Sequence, residues 1–206
     1  MKIIYRNIYD KTITFNEDDL PEVYEKVEVD ENTGLTKKIE SINNGVVEDI
    51  QYYIAEDEDE NDIIESYANQ GKDSITIIER KIIGNYTVEL DKEYDKNYKL
   101  VLLSEAVLDS LGNIICLRDL NIVDKQPIIQ STEKYYYDYL EGWGYRRIFE
   151  SMYNREGSLL NLTYMASDEE QDWEDYDLNN ISDLQKRFTN IDYYLNADFL
   201  PKGITE

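Results

Sequence analysis

The chain has 206 residues, with 45 Asp and Glu against 21 Lys and Arg, a formal net charge of -24 and no histidine. So strong a negative charge argues against direct binding to nucleic acid or anionic membranes, which are themselves negative. The missing histidine excludes Ser-His and Cys-His nucleophile systems and histidine zinc sites.

A core is affordable all the same, because the apolar aliphatic and Phe content lies above the level at which high charge brings disorder. A single domain spanning 1–206 is expected, with a possible subdivision near 125–131. Only 3 prolines and 9 glycines leave little material for flexible linkers. Nineteen tyrosines supply aromatic area with polar tips, suited to half-buried strands and interfaces.

In chain order, Ile3-Ile4-Tyr5 and Thr12-Ile13-Thr14-Phe15 read as short strands. Asp19-Leu20-Pro21 has the form of a capped helix start, yet Val27-Glu28-Val29 alternates, so 20–29 reads both ways. Turn signals at 30–34 and at Asn43-Asn44-Gly45 bracket strand-like runs, and Asn-Gly is the strongest short hairpin signal. The β-branched run 74–83 reads as a central strand, followed by strands at 85–90 and 98–103. Residues 104–111 read as a short helix, with Ser104 as N-cap and Gly112 closing it.

Beyond Pro127, the segments 134–139, 145–150 and 160–164, with glycine turns at 142–144 and 157, form a second meander. Ile181, Leu184, Phe188, Ile191 and Leu195 recur at helical spacing behind a Ser182/Gln185 capping box, so a helix is expected over 181–195, with Thr189-Asn190 as its weak point. The predicted fold class is α+β: a mainly antiparallel β-meander sheet with a few short helices, near 105–111 and near the C-terminus. The expected core is Ile75, Ile77, Val88, Leu100, Leu102, Ile115, Leu184 and Phe188.

Cys116 is the single cysteine, set in the apolar run 114–117, which reads as a buried, inert thiol. No signal-peptide pattern opens the chain and no apolar run reaches the length of a membrane span, so the expected location is the cytoplasm.

Two acidic runs carry the functional question. The first, 56–62, joins two apolar stretches and reads as a solvated loop. Asp57, Asp59 and Asn61 fall at alternate positions as in a calcium loop, but Asp62 stands where such a loop needs glycine and Ala68 where it needs a bidentate glutamate. The second, 168–177, sets Trp173 and Tyr176 among carboxylates. It reads either as an acidic loop pinned by Trp173 or as an interface for a basic partner, with rings as anchors and carboxylates as the steering field. The candidate partner-binding residues are Asp168, Glu169, Asp172, Trp173, Glu174, Asp175, Tyr176 and Asp177.

Glu79-Arg80-Lys81 at a strand end has the Glu-x-Lys spacing of magnesium-dependent nucleases that resemble restriction endonucleases, with Asp62 or Asp73 as the completing carboxylate. In a chain this charged, a strand end with exposed charges is the simpler reading.

The favoured expectation is a non-enzymatic acidic binding or inhibitor protein, such as an immunity protein masking a toxin or a phage inhibitor masking a nucleic-acid-binding surface. Its partner would be a basic protein, and neither a cofactor nor a metal is expected. The alternatives are a carboxylate enzyme of nuclease type using Glu79 and Lys81, and a structural or assembly subunit.

Overall fold

The computed structural model describes residues 1–9, 11–70, 74–140, 144–164, 174, 175, 182, 185, 186, 188 and 190–204. The chain forms two compact units, one of Met1–Arg80 with Leu90–Leu102 and one of Lys81–Glu89 with Leu103–Glu206. Both are built mainly from antiparallel strands.

In the first unit, β1 (Lys2–Arg6) pairs with β2 (Thr14–Phe15) on one side and with β3 (Val23–Val29) on the other. Then β3 pairs with β4 (Thr36–Asn43), and β4 with β5 (Val46–Ile54). The β4–β5 connection is Asn44-Gly45, both at positive φ (49° and 77°), the two-residue turn whose twist matches the flanking strands. The meander is interrupted once. Helix α1 (Glu60–Asn69) crosses over so that β6 (Ile75–Ile83) lies parallel to β5, as a parallel connection requires. Ile50, Ile75, Ile77 and Tyr67 close the core beneath α1.

The next strands are β7 (Tyr86–Tyr94) and β8 (Leu100–Leu108). In the second unit, β8 pairs with β9 (Ile114–Asp119), β9 with β10 (Glu133–Leu140), and β10 with β11 (Gly144–Tyr153). The run ends with β12 (Leu159–Tyr164) and β13 (Glu174–Asp175). The core is aromatic: Tyr136 stacks on Phe149 at 4.7 Å between centroids, and Phe188 and Tyr194 meet both edge-on.

Lys134 lies at the centre of this unit, fully buried. Its Nζ donates to the backbone carbonyls of Tyr193 (2.5 Å) and Asn196 (2.7 Å) and sits 3.5 Å from the Tyr193 ring centroid. Together with the bond from the Tyr153 hydroxyl to the Tyr194 carbonyl (2.8 Å), it ties the 3-10 turn Ile191–Leu195 to the sheet.

Several expectations need correction. Residues 104–108 continue strand β8, and Gly112 (φ 82°) closes a hairpin in which its amide bonds the Asp109 carbonyl. Pairing with β9 outweighs the local cap signal. The 20–29 segment resolves as strand β3, in which Val23 and Tyr24 pair with β4 alone and Val27 and Val29 pair with β1 and β4 on either side. The run 56–62 holds the start of α1 and is not a plain loop.

Toward the C-terminus, Ser182, Gln185 and Lys186 are helical, but Asn190 takes a left-handed conformation (φ 60°) and Ile191–Leu195 is a 3-10 turn, so the expected helix does not run unbroken to 195. Of the expected core, Ile75, Ile77, Ile115 and Phe188 are buried, Val88 and Leu100 half-buried, and Leu102 is 41% exposed. Successive strand residues face opposite sides, and of the Leu102-Leu103 pair it is Leu103 that turns inward. Ile181 and Leu184 lie outside the described residues. Among the described residues, no helix is long and apolar enough to cross a membrane.

Candidate basic-partner site

Helix α1 begins where Asp59 turns its carboxylate onto the backbone. Its Oδ1 accepts from the amides of Asn61 (2.8 Å) and Asp62 (3.3 Å), satisfying two donors the helix cannot pair internally. Glu60 and Asp62 in the first turn add negative charge at the positive end of the helix dipole. This capping gives the Asp57/Asp59/Asn61 spacing its structural use, with the Asp59 Oδ1 committed to amides and not to a calcium loop.

The face of α1 that carries Asp59, Asp62, Ile63, Ser66, Tyr67 and Gln70 borders a cleft of about 430 Å³, completed by Tyr52, Asp57 and Glu58. Glu58 is the hub at one end. Its carboxylate accepts from the Ala55 amide (2.8 Å), the Tyr52 hydroxyl (2.8 Å) and the Lys37 ammonium. Burial alone would raise the Glu58 pKa, but Lys37, the Ala55 amide and Tyr52 outweigh it and hold the carboxyl below its ordinary value. The Lys37 ammonium also stands 4.7 Å from the Tyr52 ring centroid.

At the other end Tyr67 is 8% exposed and meets Tyr52 edge-on at 6.3 Å. Burial pushes the pKa of its hydroxyl up, with the Lys38 ammonium opposing the shift and Glu40 and Glu28 adding to it. Asp57 and Asp62 form no ion pair among the described residues. The cleft is thus acidic, walled by two tyrosines, and already holds one cation at its edge.

The Glu79-x-Lys81 fragment is bound into a different cluster. Lys92 pairs with both Glu79 and Glu60, and Tyr94 also donates to Glu60. Burial would lower the Lys92 pKa, but the two glutamates outweigh it and raise it. Lys81 is exposed on β6, and Asp73 lies outside the described residues. Among the described residues, no group of three or more Asp, Glu or Cys is arranged to hold a metal ion.

In the segment 168–177, Glu174 and Asp175 form β13, paired with Tyr164 and Thr163. Asp168, Glu169, Asp172, Trp173, Tyr176 and Asp177 lie outside the described residues. The second unit has a larger cleft, about 710 Å³, whose lining mixes Lys186 and Lys202 with Asp192 and aromatic residues. That balance of signs does not single out a cation.

The α1 cleft went unread in the sequence because it needs three separate stretches, 52, 57–59 and 62–70, brought together by the parallel crossover. The available signal was the capping aspartate followed by Ile63, Ile64 and Tyr67 at helical spacing. No protein-family model, no curated protein and no solved structure matches the chain.

Proposed function

We propose that this chain is a non-catalytic binding protein that masks a basic surface of a partner protein, in the manner of an immunity protein covering a toxin or a phage inhibitor covering a nucleic-acid-binding face. The observation that carries the reading is how the charges are distributed. Several basic side chains are taken up internally: Arg6 and Lys11 by Glu25, Lys26 and Lys38 by Glu28 and Glu40, Lys92 by Glu60 and Glu79, and Arg118 by Glu105. Carboxylates such as Asp57 and Asp62 are left over at the α1 cleft, and the sequence adds a second excess at 168–177. An acidic field of this kind attracts basic proteins and stands in for phosphate on a cationic surface. The residues proposed for partner contact in the second segment are those expected from the sequence, with Trp173 and Tyr176 as anchors.

The test is displacement. A labelled DNA duplex is bound to a dodeca-arginine peptide, and the protein is added at about 0.1 M salt, where charges are screened beyond roughly 10 Å. The expected result is release of the duplex at near-equimolar protein. Retention of the duplex at about tenfold excess protein contradicts the proposal, as does magnesium-dependent cleavage of the duplex that disappears in Glu79→Ala, which would establish the nuclease alternative.

A further inference from the structure

We infer that Asn44 is a site of spontaneous covalent modification, at which the backbone nitrogen of Gly45 closes on the Asn44 side-chain amide and converts it to a carboxylate. The inference is independent of any partner and rests on the tip of the β4–β5 hairpin.

Three observations converge on it. The first is access to the nucleophile. Gly45 is the one glycine that directly follows an asparagine, and a residue without Cβ lets other groups approach its backbone closely. Its N–H makes no hydrogen bond among the described residues, and nothing lies within 4 Å of where a Cβ would stand.

The second is the freedom of the electrophile. Asn7, Asn121, Asn154 and Asn196 each fold the side-chain oxygen back onto the amide two residues on, at 2.8–3.0 Å, a local turn that fixes the side chain. Asn44 makes no such turn. Its Nδ2 donates to the Asn43 Oδ1 (2.9 Å), which leaves its side-chain carbonyl carbon open to attack. Asn196, followed by the small Ala197, gives the contrast. The Ala197 amide is donated to the Gly157 carbonyl (3.1 Å), so both groups that would react there are engaged.

The third is position. Asn44 and Gly45 are exposed, Val46 beside them is 63% exposed, and both lie beyond the last rung of the ladder, Asn43 opposite Val46. Ring closure swings the peptide between Asn44 and Gly45 out of its turn, and such a tip opens at little cost. The bond from the Asn44 amide to the Glu22 carbonyl (2.7 Å) lies on the N-terminal side of that peptide and does not oppose the swing.

The chemistry needs only water. The Gly45 nitrogen loses its proton to solvent and bonds to the Asn44 Cγ. The Cγ–Nδ2 bond breaks, and ammonia leaves with a proton taken from water. Water then opens the cyclic imide at either carbonyl, giving an aspartyl or an isoaspartyl residue at position 44. The isoaspartyl product adds a backbone carbon to a connection of only two residues. Both products place a carboxylate next to Asn43, whose Nδ2 is donated to Glu48 (2.9 Å).

The experiment keeps the full chain folded at neutral pH and physiological temperature for weeks, beside a sample unfolded in urea, with both sampled by tryptic peptide mass mapping. Asn44 gains the mass of an amide-to-acid exchange before any other asparagine of the folded chain, at a rate within about tenfold of the unfolded sample. The product separates into two species of equal mass, one of them labelled by an L-isoaspartyl methyltransferase. Conversion is faster in mildly alkaline buffer, because the attacking nitrogen must lose its proton. A folded chain that keeps the Asn44 amide while the unfolded sample loses it overturns the inference, since the turn then protects the residue. Conversion of Asn196 in the folded chain as fast as that of Asn44 overturns it as well, since the free side chain and the free Gly45 nitrogen would then count for nothing.

Discussion

Lys134 is a buried amine in a chain with 45 carboxylates, yet its hydrogen bonds go to two backbone carbonyls. Burial pushes its pKa down to about 8 from 10.5. Between those values the unfolded chain holds the proton and the native chain has released it, so raising the pH favours the native state. Cys116 and Tyr193, both packed against Lys134, titrate the other way: burial raises their pKa values, so the unfolded chain ionises first and stability falls as pH rises. Comparison with Lys134→Met isolates the lysine. Measured by urea unfolding, the parent gains stability relative to this variant as pH rises from about 8 toward 10.5, by at most about 1.4 kcal/mol per pH unit. A difference that stays flat over that range shows that Lys134 is not held in the low-pKa state.

Nothing in the sequence marked Lys134, because its burial follows from its place opposite Cys116 in the β9–β10 pairing and from the return of 191–196 over it. Apolar residues were easier to read. Ile77 sits in a β-branched run and is fully buried, so Ile77→Ala should cost about 2–4 kcal/mol in denaturant unfolding. A cost under about 0.5 kcal/mol, the surface range, contradicts its place in the core.

At the scale of elements, the hairpins were legible wherever a turn needs positive φ, as at Asn44-Gly45, because few residues tolerate that backbone. The reading failed where the same punctuation serves two structures. Ser104 and Gly112 look like the two ends of a helix, yet they lie at a strand and at a hairpin turn. In α1 the reverse holds: an acidic run that reads as a solvated loop serves as cap and first turn. Asp59→Ala should therefore cost about 1 kcal/mol of stability through the lost cap, whereas Asp57→Ala, outside the cap, should stay within about 0.5 kcal/mol; equal costs would deny Asp59 its capping role. The segment 168–177 carries a kinetic prediction. Charge reversal at Asp172, Glu174 and Asp175 slows association with a basic partner most at low salt, and Trp173→Ala raises the dissociation rate about tenfold, both read by surface plasmon resonance. Parental kinetics in both variants reduce the segment to a solvated loop.

At the scale of the whole molecule, composition made the excess of charge plain but not its arrangement. Which carboxylates are neutralised depends on cross-strand register, as where Lys38 on β4 meets Glu28 directly opposite on β3, and register is invisible in a list of residues. What remains after that internal pairing is the basis for reading the chain as a receptor for a basic protein. Backbone amide hydrogen exchange of the full chain, with and without hexa-arginine at about 0.1 M salt, tests that claim most directly. Binding of the peptide is expected to slow exchange in α1 and in the segment 168–177 and to leave the amides of β9 and β10 unchanged. Exchange that is unaltered at both acidic segments while the peptide is bound contradicts it.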